Sequence, residues 1–367
     1  MTLYEADLQL AVARHLRWMP DRITLDADSL LMEGWALGVW DAQTQCRFLV
    51  NGVDFDVLEW PLPSPDLLTV FPDVPQAAHS RFRCRHYLTD GGLSFPGGWA
   101  RFNVTGPAGE HAWSYRTAWF LADPAQESPL PPAELIAQVI GTPDPQAFCL
   151  GGATMVARFA HLLSERFNRP LSSFTAILDW GCGVGRLTRY LVGQGPAVTG
   201  MGSQPAHMQY CRTALPAAHF VAMGDTLASG QFDLVLGLSM LPHLSEAEQD
   251  SWLAELQRLT RPGALLLLSV QGLTHMALYR TPMVHKLEAH RTGWHDMAGH
   301  AGLDSPTPSG PDVLHAPDYI LAHWGRYFDV LDIIEAMAGH QDVVVLRRSP
   351  CAHRQKSMAS TAYQEVS

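Results

Sequence analysis

The chain has 367 residues, of which 47% are hydrophobic and 17% charged, and this composition predicts two folded domains or one large one rather than a disordered chain. The net charge of −11, with no long basic face, argues against nonspecific binding to nucleic acid. The longest apolar run, residues 264–270, is too short to span a membrane, and the acids and arginines near the N-terminus are untypical of a secretory signal. We therefore predict a cytoplasmic protein.

Cysteine and histidine patterns bear on metal binding and on disulfides. The six cysteines form no C-x-x-C pair and are irregularly spaced, so neither a disulfide framework nor a zinc site is indicated. Many of the 17 histidines fall between residues 275 and 340, but no H-x-x-x-H or H-E-x-x-H pattern gathers them on one helix. We predict no metal site, with the reservation that histidines distant in sequence can meet in space.

The first third of the chain has the pattern of an all-β domain. A short helix is predicted over residues 1–20, and short β-rich runs follow from residue 21 to about 123. Turn signals such as Asn51-Gly52 and Gly106-Pro107 separate these runs, and their spacing predicts a small all-β sandwich over residues 1–125. The runs are ITL, CRFLVNG, RFRCRHY, WARFNV and AWSYRTAWF.

Residues 126–170 are predicted to be a proline-rich linker and a leading helix. A short helix is expected over residues 133–140. Helical periodicity then recurs over residues 152–167, where the apolar side chains are spaced to face one side.

Strand and helix patterns alternate after residue 174, which predicts an α/β domain over residues 171–350 with a parallel sheet covered by helices. Ser245 and Glu248 form a capping-box pattern at the start of the helix before the fifth strand. Residues 351–367 are predicted to be a flexible tail. The five predicted strands span residues 176–180, 197–201, 219–222, 232–238 and 264–270.

The strongest chemical signal is a glycine-rich turn after the first of these strands. The strand ends in Asp179, and Gly181, Gly183 and Gly185 follow at alternate positions. Such glycines permit a tight turn and close approach of a ligand to the backbone, in front of the N–H groups of a helix N-terminus. Arg186 stands where a dinucleotide-binding loop has its third glycine, so the pattern differs from that fingerprint.

The string LDWGCGVGRLTRYL, residues 178–191, resembles motif I of class I S-adenosylmethionine-dependent methyltransferases. The strings FDLV at 232–235, SMLPHL at 239–244 and LTRPGALLLLSV at 259–270 are similar to later segments of that family, in the same order. The resemblance implies a Rossmann-like methyltransferase fold, which has a mostly parallel sheet with an antiparallel edge strand, and S-adenosylmethionine as the cofactor.

The same resemblance implies which residues contact the cofactor. Asp225 stands where the family acid usually meets the adenine amino group. Gly202 stands where the family usually has an acid for the ribose hydroxyls, so Ser203 or Gln204 would have to replace it. Losing that acceptor predicts binding weaker by about 1.5–3 kcal/mol. The full implied set is Asp179, Gly181, Cys182, Gly183, Gly185, Gly202, Ser203, Gln204, Asp225, Thr226 and Ser239.

Two histidines are candidate catalytic residues, because methyl transfer to an oxygen usually needs a general base as well as alignment. His243 follows the fourth strand within about one turn, although for a single histidine a structural role in capping or packing the next helix is slightly favoured over catalysis. His295 lies in the segment after the fifth strand, where it would form an oriented base with Asp296 unless the two neighbours face apart.

Resemblances at the two ends of the chain suggest which class of molecule accepts the methyl group. The last predicted strands, 328–332 and 343–346, lie in a segment that resembles methyltransferases associated with bacterial polysaccharide biosynthesis. The front domain resembles β-sandwich modules of some bacterial glycosyltransferases and methyltransferases. Core packing is the commoner fate of its tryptophans, but exposed ones would stack on sugars. The candidates are Trp35, Trp40, Trp99 and Trp113.

These resemblances imply O-methylation of a glycan or of a glycan precursor. Two alternatives stay open. A degenerate methyltransferase would act as a glycan- or ligand-binding protein, which the missing acid at Gly202 favours. A small-molecule methyltransferase would use the β domain for dimerisation, and the protein would then be a homodimer.

Overall fold

The computed structural model describes residues 17–26, 28–37, 46–72, 74–88, 98–106, 114, 117–121, 128–278, 281–297 and 311–349. The chain divides into two compact units, one of residues 1–128 with 146–154 and one of residues 129–145 with 155–367. The predicted tail, residues 351–367, lies outside the described residues. The domain boundaries at residues 125, 170 and 350 stay predictions.

The first unit contains two antiparallel four-stranded sheets. Their strand orders are β1–β2–β6–β5 and β4–β3–β7–β8. The strands are β1 Arg17–Leu25, β2 Ser29–Leu37, β3 Arg47–Val50, β4 Val53–Asp54, β5 Val57–Leu62, β6 Arg81–Tyr87, β7 Trp99–Thr105 and β8 Ala118–Phe120, with a short helix α1 Leu67–Val70. The helix expected over the first twenty residues is wrong for residues 17–20, which lie in β1, and residues 1–16 lie outside the described part.

Side chains of both sheets form one core, which makes this unit an all-β sandwich. Alternate residues of β6 point inward, and Phe82 contacts Phe48 of the opposite sheet with a ring-centroid distance of 4.7 Å. Asn51 and Gly52 both have positive φ, 48° and 84°, as the two-residue hairpin between β3 and β4 requires.

The second unit contains a seven-stranded sheet of order β11–β10–β9–β12–β13–β17–β16. Strands β9 to β13 run parallel, and β17 runs antiparallel to both of its neighbours at that edge. The sheet strands are β9 Ala176–Trp180, β10 Ala197–Gly202, β11 His219–Ala222, β12 Phe232–Gly237, β13 Thr260–Val270, β16 Asp329–Ala338 and β17 Gln341–Arg347, and β14 Trp294–Asp296 pairs with β15 Val313–His315.

Helices cover both faces of this sheet. Along β13, Leu266 and Leu268 face a core that includes Leu253 and Leu256, whereas the intervening Leu267 faces the other core. A strand buried on both faces explains the continuous apolar run. The helices of this unit are α2 Ala133–Ile140, α3 Pro145–Phe167, α4 Thr188–Leu191, α5 Pro205–Ala214, α6 Glu246–Leu259, α7 Leu273–Leu278, α8 Met283–Thr292 and α9 Pro317–His323.

Residues 146–154 of helix α3 belong to the first unit, and the rest of the helix belongs to the second. Helix α3 is the one described helix that is long and apolar enough to cross a membrane. Length and composition of this kind are also found in core helices of globular proteins, and 44% of its most apolar window is buried here. Phe159 and Leu163 of α3 are fully buried in the core below the seven-stranded sheet.

Candidate functional site

The parallel strands bring the residues of the predicted cofactor site to one edge of the sheet. Trp180 at the end of β9 pairs with Met201 and with Gly237, and Gly202 pairs with Ala222. The loops that follow β9, β10, β11 and β12 therefore leave the sheet side by side. In a sheet of this kind, ligands bind outside the carboxyl ends of the strands.

The glycine loop after β9 has a backbone conformation that suits glycine. Gly181, Gly183 and Gly185 have φ values of 81°, 53° and 74°. The N–H groups of Gly181 and Cys182 donate to the carbonyl oxygen of Met201, at 2.9 and 3.0 Å, which fixes the loop against β10. A Cβ atom at Gly181 would overlap the side chain of Met240, which follows β12.

The next two N–H groups of the loop are not used in its internal hydrogen bonding, and Val184 itself is buried. Among the described residues, the N–H groups of Gly183 and Val184 donate to no protein acceptor. Unpaired N–H groups at a glycine loop attract oxygen acceptors and negative charge. The loop thus fits a ligand whose oxygen atoms approach the backbone closely.

Asp179 holds the start of the helix behind the loop. Its carboxylate is 2% exposed, and Oδ2 accepts hydrogen bonds from the N–H of Thr188 at 3.1 Å and from its hydroxyl at 2.6 Å. Burial raises the pKa of Asp179 to about 6, against the opposing effect of the two Thr188 hydrogen bonds. This carboxylate therefore fixes Thr188, at the start of the helix that follows the glycine loop.

Gly202, the position of the missing acid, is enclosed by side chains. A Cβ atom there would lie 2.5 Å from Cε of Met208 and 3.5 Å from Sγ of Cys182. Met208 therefore occupies the space that an acidic side chain would need. Ser203 and Gln204 follow directly and are exposed, at the start of α5.

Asp225 lies in an exposed turn beyond β11. Its Oδ2 accepts a hydrogen bond from the N–H of Ala222 at 2.8 Å, and its own N–H donates to the carbonyl oxygen of Ala222 at 3.1 Å. This geometry orients the carboxylate and leaves Oδ1 for another donor. Thr226, the next predicted residue, is also exposed.

Ser239 follows β12 in a left-handed conformation, with φ of 56°. Its N–H donates to the hydroxyl of Ser269 at 2.7 Å, and its hydroxyl donates to Oε1 of Gln341 at 3.1 Å. Ser269 also donates to that oxygen, at 2.6 Å. The three side chains connect the ends of β12, β13 and β17, and they hold a backbone conformation that is unfavourable for a non-glycine residue.

The structure places the two candidate catalytic histidines in different surroundings. His243 is exposed in the 3₁₀ turn Leu241–His243, and its side chain has no hydrogen-bond partner among the described residues. The Nε2 atom of His295 lies 2.9 Å from Nδ1 of the buried His285, with the rings stacked at 5.2 Å. The Oδ1 atom of the neighbouring Asp296 accepts a hydrogen bond from the N–H of Asp312 at 3.0 Å.

A buried polar network supports the turn that carries His243, and no sequence pattern predicts it. Gln249 on α6 donates to the carbonyl oxygens of Leu241 and Leu244, at 2.9 and 3.1 Å. Its Oε1 lies 2.9 Å from Nε2 of His315, which is fully buried. Because the amide nitrogen of Gln249 is used as a donor, its oxygen is the acceptor, and His315 carries its proton on Nε2. Burial lowers the pKa of His315 to about 3.

Helix α2 lies over the glycine loop, a contact that the sequence pattern does not predict. A Cβ atom at Gly183 would lie 3.1 Å from Cγ2 of Val139. The neighbouring Gln138 places Oε1 2.8 Å from Nε2 of His207 on α5. Residues 133–140, predicted as a helix within a linker, therefore form one wall of the candidate cofactor site.

The tryptophans proposed for sugar stacking belong to the first unit. Trp35 is partly exposed and contacts Phe71, with a ring-centroid distance of 5.4 Å. Trp99 is partly exposed, and the guanidinium of Arg101 lies 5.4 Å from its ring centroid. Trp40 and Trp113 lie outside the described residues.

Comparison with known proteins identifies the domain that contains this site. Residues 177–263 match the family model described as a methyltransferase domain. The chain is 35% identical over 103 residues to malonyl-[acyl-carrier protein] O-methyltransferase of Enterobacter lignolyticus, covering 26% of this chain and 39% of that protein. It is 30% identical over 114 residues to an uncharacterized methyltransferase of Synechocystis, covering 30% of this chain and 53% of that protein.

This chain thus spans about two fifths and about half of the lengths of these two relatives. Among solved structures, a 1,6-didemethyltoxoflavin-N1-methyltransferase of Burkholderia thailandensis with bound S-adenosylhomocysteine gives a TM-score of 0.39 at 20% identity, covering 63% of this chain and 95% of that one. The family match, together with the glycine loop, shows that the chain carries an S-adenosylmethionine-dependent methyltransferase domain.

Proposed function

We propose that the whole protein is an enzyme that transfers a methyl group from S-adenosylmethionine to an acceptor at the carboxyl edge of the seven-stranded sheet. One observation carries the proposal: the glycine loop of a matched methyltransferase domain presents the unpaired N–H groups of Gly183 and Val184. When bound, the cofactor supplies a methyl group that is activated by the neighbouring sulfonium.

The proposed cofactor contacts follow the edge of the sheet. Gly181, Gly183 and Gly185 let the ligand approach the backbone, and Oδ1 of Asp225 would accept from the adenine amino group. With Met208 against Gly202, the ribose hydroxyls would turn to the exposed Ser203 and Gln204. Neutral acceptors of this kind give weaker hydrogen bonds than a carboxylate.

We propose His243 as the general base. It is exposed beside the end of β12, close in the chain to Ser239, and the buried network of Gln249 and His315 fixes the turn that carries it. A base within reach of an acceptor hydroxyl removes its proton as the methyl group is transferred. His295 is the second candidate, but its Nε2 is engaged with His285.

For the acceptor, we propose a hydroxyl of a glycan or of a glycan precursor, methylated in the cytoplasm. Support comes from the resemblance of both chain ends to polysaccharide-associated proteins, and from the partly exposed Trp35 and Trp99 in the sandwich. One relative is named as an O-methyltransferase, which agrees with an oxygen acceptor.

A specific observation favours a second candidate function, a ligand-binding protein that has lost methyl transfer. Met208 closes the position where the family has its ribose-binding acid. If this change abolishes cofactor binding, the domain keeps the fold without the chemistry.

Titration calorimetry of the full chain with S-adenosylmethionine and S-adenosylhomocysteine separates the two. The enzyme proposal expects micromolar dissociation constants, and it expects Asp225→Asn to weaken binding while Asp318→Asn, an exposed acid on α9, leaves it unchanged. Absence of binding at millimolar ligand favours the second candidate. Incubation of glycan acceptors with labelled cofactor then tests the acceptor class, and His243→Gln should lower the turnover without changing cofactor affinity.

A further inference from the structure

Two glutamine side chains are buried at the carboxyl edge of the seven-stranded sheet, and both keep hydrogen-bonding groups that no described residue satisfies. Gln271 follows β13 and is 6% exposed, and Gln341 begins β17 at the same edge and is 4% exposed. Val270 pairs with Asp342, so the two glutamines each lie one residue beyond that pair. The antiparallel register therefore places Gln271 and Gln341 opposite each other.

The hydrogen bonds of Gln341 fix the direction of its carboxamide. The hydroxyl of Ser269 accepts from the N–H of Ser239 at 2.7 Å, so its own proton is donated to Oε1 of Gln341, at 2.6 Å. Ser239 donates to the same oxygen at 3.1 Å. The amide nitrogen of Gln341 is therefore turned away from the two serines, and its N–H groups have no acceptor within the part of the chain that the structure describes.

Gln271 is held by its backbone and not by its side chain. Its carbonyl oxygen accepts from the N–H of His315 at 2.9 Å, which ties the end of β13 to β15. The side-chain oxygen is fully buried without a hydrogen-bond partner, and the amide nitrogen has no partner among the described residues either. Burying a carboxamide in this way costs free energy unless another molecule pairs with it.

A second buried glutamine of the same unit shows the contrast. Gln249 is 1% exposed, and its amide nitrogen donates to the carbonyl oxygens of Leu241 and Leu244. Its Oε1 lies 2.9 Å from Nε2 of His315. The carboxamide of Gln249 is thus used at both ends to hold the fold, whereas that of Gln271 holds nothing in the described chain.

The nearest acid leaves this position to an uncharged group. The carboxylate of Asp342 is buried one residue from Gln341, and it accepts from the N–H groups of Ala336 and Thr274, at 3.1 and 3.4 Å. Its charge repels an anion, while an ammonium group cannot accept from the N–H groups of Gln341. The partner must therefore be neutral, accept from one amide and donate to the other. A hydroxyl group does both with one oxygen atom.

We propose that Gln271 and Gln341 together bind a hydroxyl group of the methyl acceptor. An N–H of Gln341 donates to the hydroxyl oxygen, and the hydroxyl donates to Oε1 of Gln271. The inference rests on the proposed function, in which the methylated hydroxyl gives its proton to His243, so the hydroxyl bound here is another one of the same molecule. The pair thereby selects a neutral acceptor with at least two hydroxyl groups, and it holds that acceptor beside Ser239 at the end of β12.

Nitrogen-15 NMR of the glutamine side-chain amides in the full chain tests this site, with glycerol as the probe. Glycerol has several hydroxyl groups and no fixed sugar configuration, and 1,2,3-trimethoxypropane is its control because it accepts hydrogen bonds but cannot donate them. The signal of Gln271 is identified by its loss in Gln271→Met, and that of Gln341 by its through-space contact with Ser269.

We expect glycerol to shift both signals and the trimethoxy control to shift neither. Gln271→Met should weaken the response of the Gln341 signal about three- to tenfold, the range of one hydrogen bond. Gln194→Met, on an exposed glutamine between α4 and β10 at the opposite edge of the sheet, should respond as the wild type does.

Thermal unfolding separates a binding role of Gln271 from a structural one. Gln271→Met removes a buried carboxamide that has no partner, so its midpoint should equal or exceed that of the wild type. Gln249→Met removes a fully paired carboxamide and should lower the midpoint. If both variants lose the same stability, Gln271 is paired with buried water and serves folding, and the proposal is overturned.

Absence of a glycerol response in the wild type, or equal responses to glycerol and to its control, also overturns the proposal. The glycerol titration needs no cofactor. A protein that responds to glycerol as expected but fails to bind S-adenosylhomocysteine therefore keeps this hydroxyl site, while the proposed methyl transfer is refuted.

Discussion

Gly202→Asp restores the acid that the family usually has, yet the structure predicts a less stable protein. The new Cβ atom would lie 2.5 Å from Cε and 3.2 Å from Sδ of Met208, so the methionine would have to move. Overpacking of this kind costs about 1–3 kcal/mol of unfolding free energy. The carboxylate would also enter a cluster that contains Cys182 and Cys211, which adds a desolvation cost.

Met208→Ala in the same chain should relieve this overlap. The side chain that blocks the position is then gone, and a carboxylate at residue 202 is free to accept from the ribose hydroxyls. A charge-assisted hydrogen bond contributes about 1.5–3 kcal/mol, which corresponds to about one to two decades in affinity. The double variant should therefore bind S-adenosylhomocysteine more tightly than Met208→Ala alone, which is the matched control.

Urea unfolding measures the stability of the three variants, and titration calorimetry measures their affinity. A single variant Gly202→Asp as stable as the wild type would contradict the close contact with Met208. A double variant that binds no more tightly than its control would show that the ribose does not lie beside residue 202.

Three further changes test the loop, a helix end and a buried histidine. Gly181→Ala should lose most of its cofactor affinity, because a φ of 81° costs an L-residue about 1–2 kcal/mol and the new Cβ atom displaces Met240. Gly230→Ala is the control, since Gly230 has a φ of 65° and no neighbour within 4 Å of the added Cβ atom. This control should unfold more easily but bind the cofactor normally in calorimetry. Ser245→Ala removes the hydroxyl that accepts from the N–H of Glu248, while the backbone N–H of residue 245 can still donate to the Glu248 carboxylate. The variant should lower the unfolding free energy in urea by about 1 kcal/mol, and an unchanged midpoint would contradict this expectation. The pKa of His315 is about 3 in the folded state, below its unfolded value, so the stability contributed by the neutral ring is fully present above pH 6.5 and is lost as the pH falls. The wild type should lose about 3 kcal/mol of unfolding free energy from this group between pH 6.5 and pH 4. His315→Gln should show a correspondingly flatter pH dependence of unfolding.

Local sequence signals predicted most elements of the second unit, because each depends on a few neighbouring residues. The structure has β9 at residues 176–180, α2 at 133–140 and the capping box at Ser245, as predicted. Several strands are longer than predicted, most of all β13, β16 and β17. Strand β13 begins at Thr260 rather than at residue 264, so Pro262 and Gly263 lie within it, and β16 continues to Ala338 through an irregular register.

The first unit was predicted less completely. Strands β2 and β5 were not among the expected runs, and β2 is hard to recognise because buried Gly34 interrupts its apolar pattern. A Cβ atom at Gly34 would lie 2.9 Å from the ring of Phe82, so this glycine serves close packing inside the sandwich rather than a turn.

Contacts between distant residues account for what the sequence did not predict at the site. Ser239 pairs with Gln341, His295 with His285, and His315 with Gln249, and none of these pairings follows from spacing along the chain. Adjacent strand residues point to opposite faces, which explains why Asp296 has a different partner from His295. The glycine-loop motif predicted that these residues lie at the carboxyl edge of the sheet, but it did not predict which side chain each of them contacts.

Two features at the carboxyl edge of the seven-stranded sheet bear on whether the domain still binds ligands. One is the filled space beside Gly202, and the other is the set of unpaired groups at the glycine loop. Met208 fills the space beside Gly202, as expected where a ligand contact has been lost. The N–H groups of Gly183 and Val184 and the guanidinium of Arg186 remain unpaired within the described chain, although leaving such groups unsatisfied costs free energy. A site that had collapsed would gain stability by pairing or replacing them. Their persistence beside the glycine loop therefore favours the proposal that the domain still binds a cofactor.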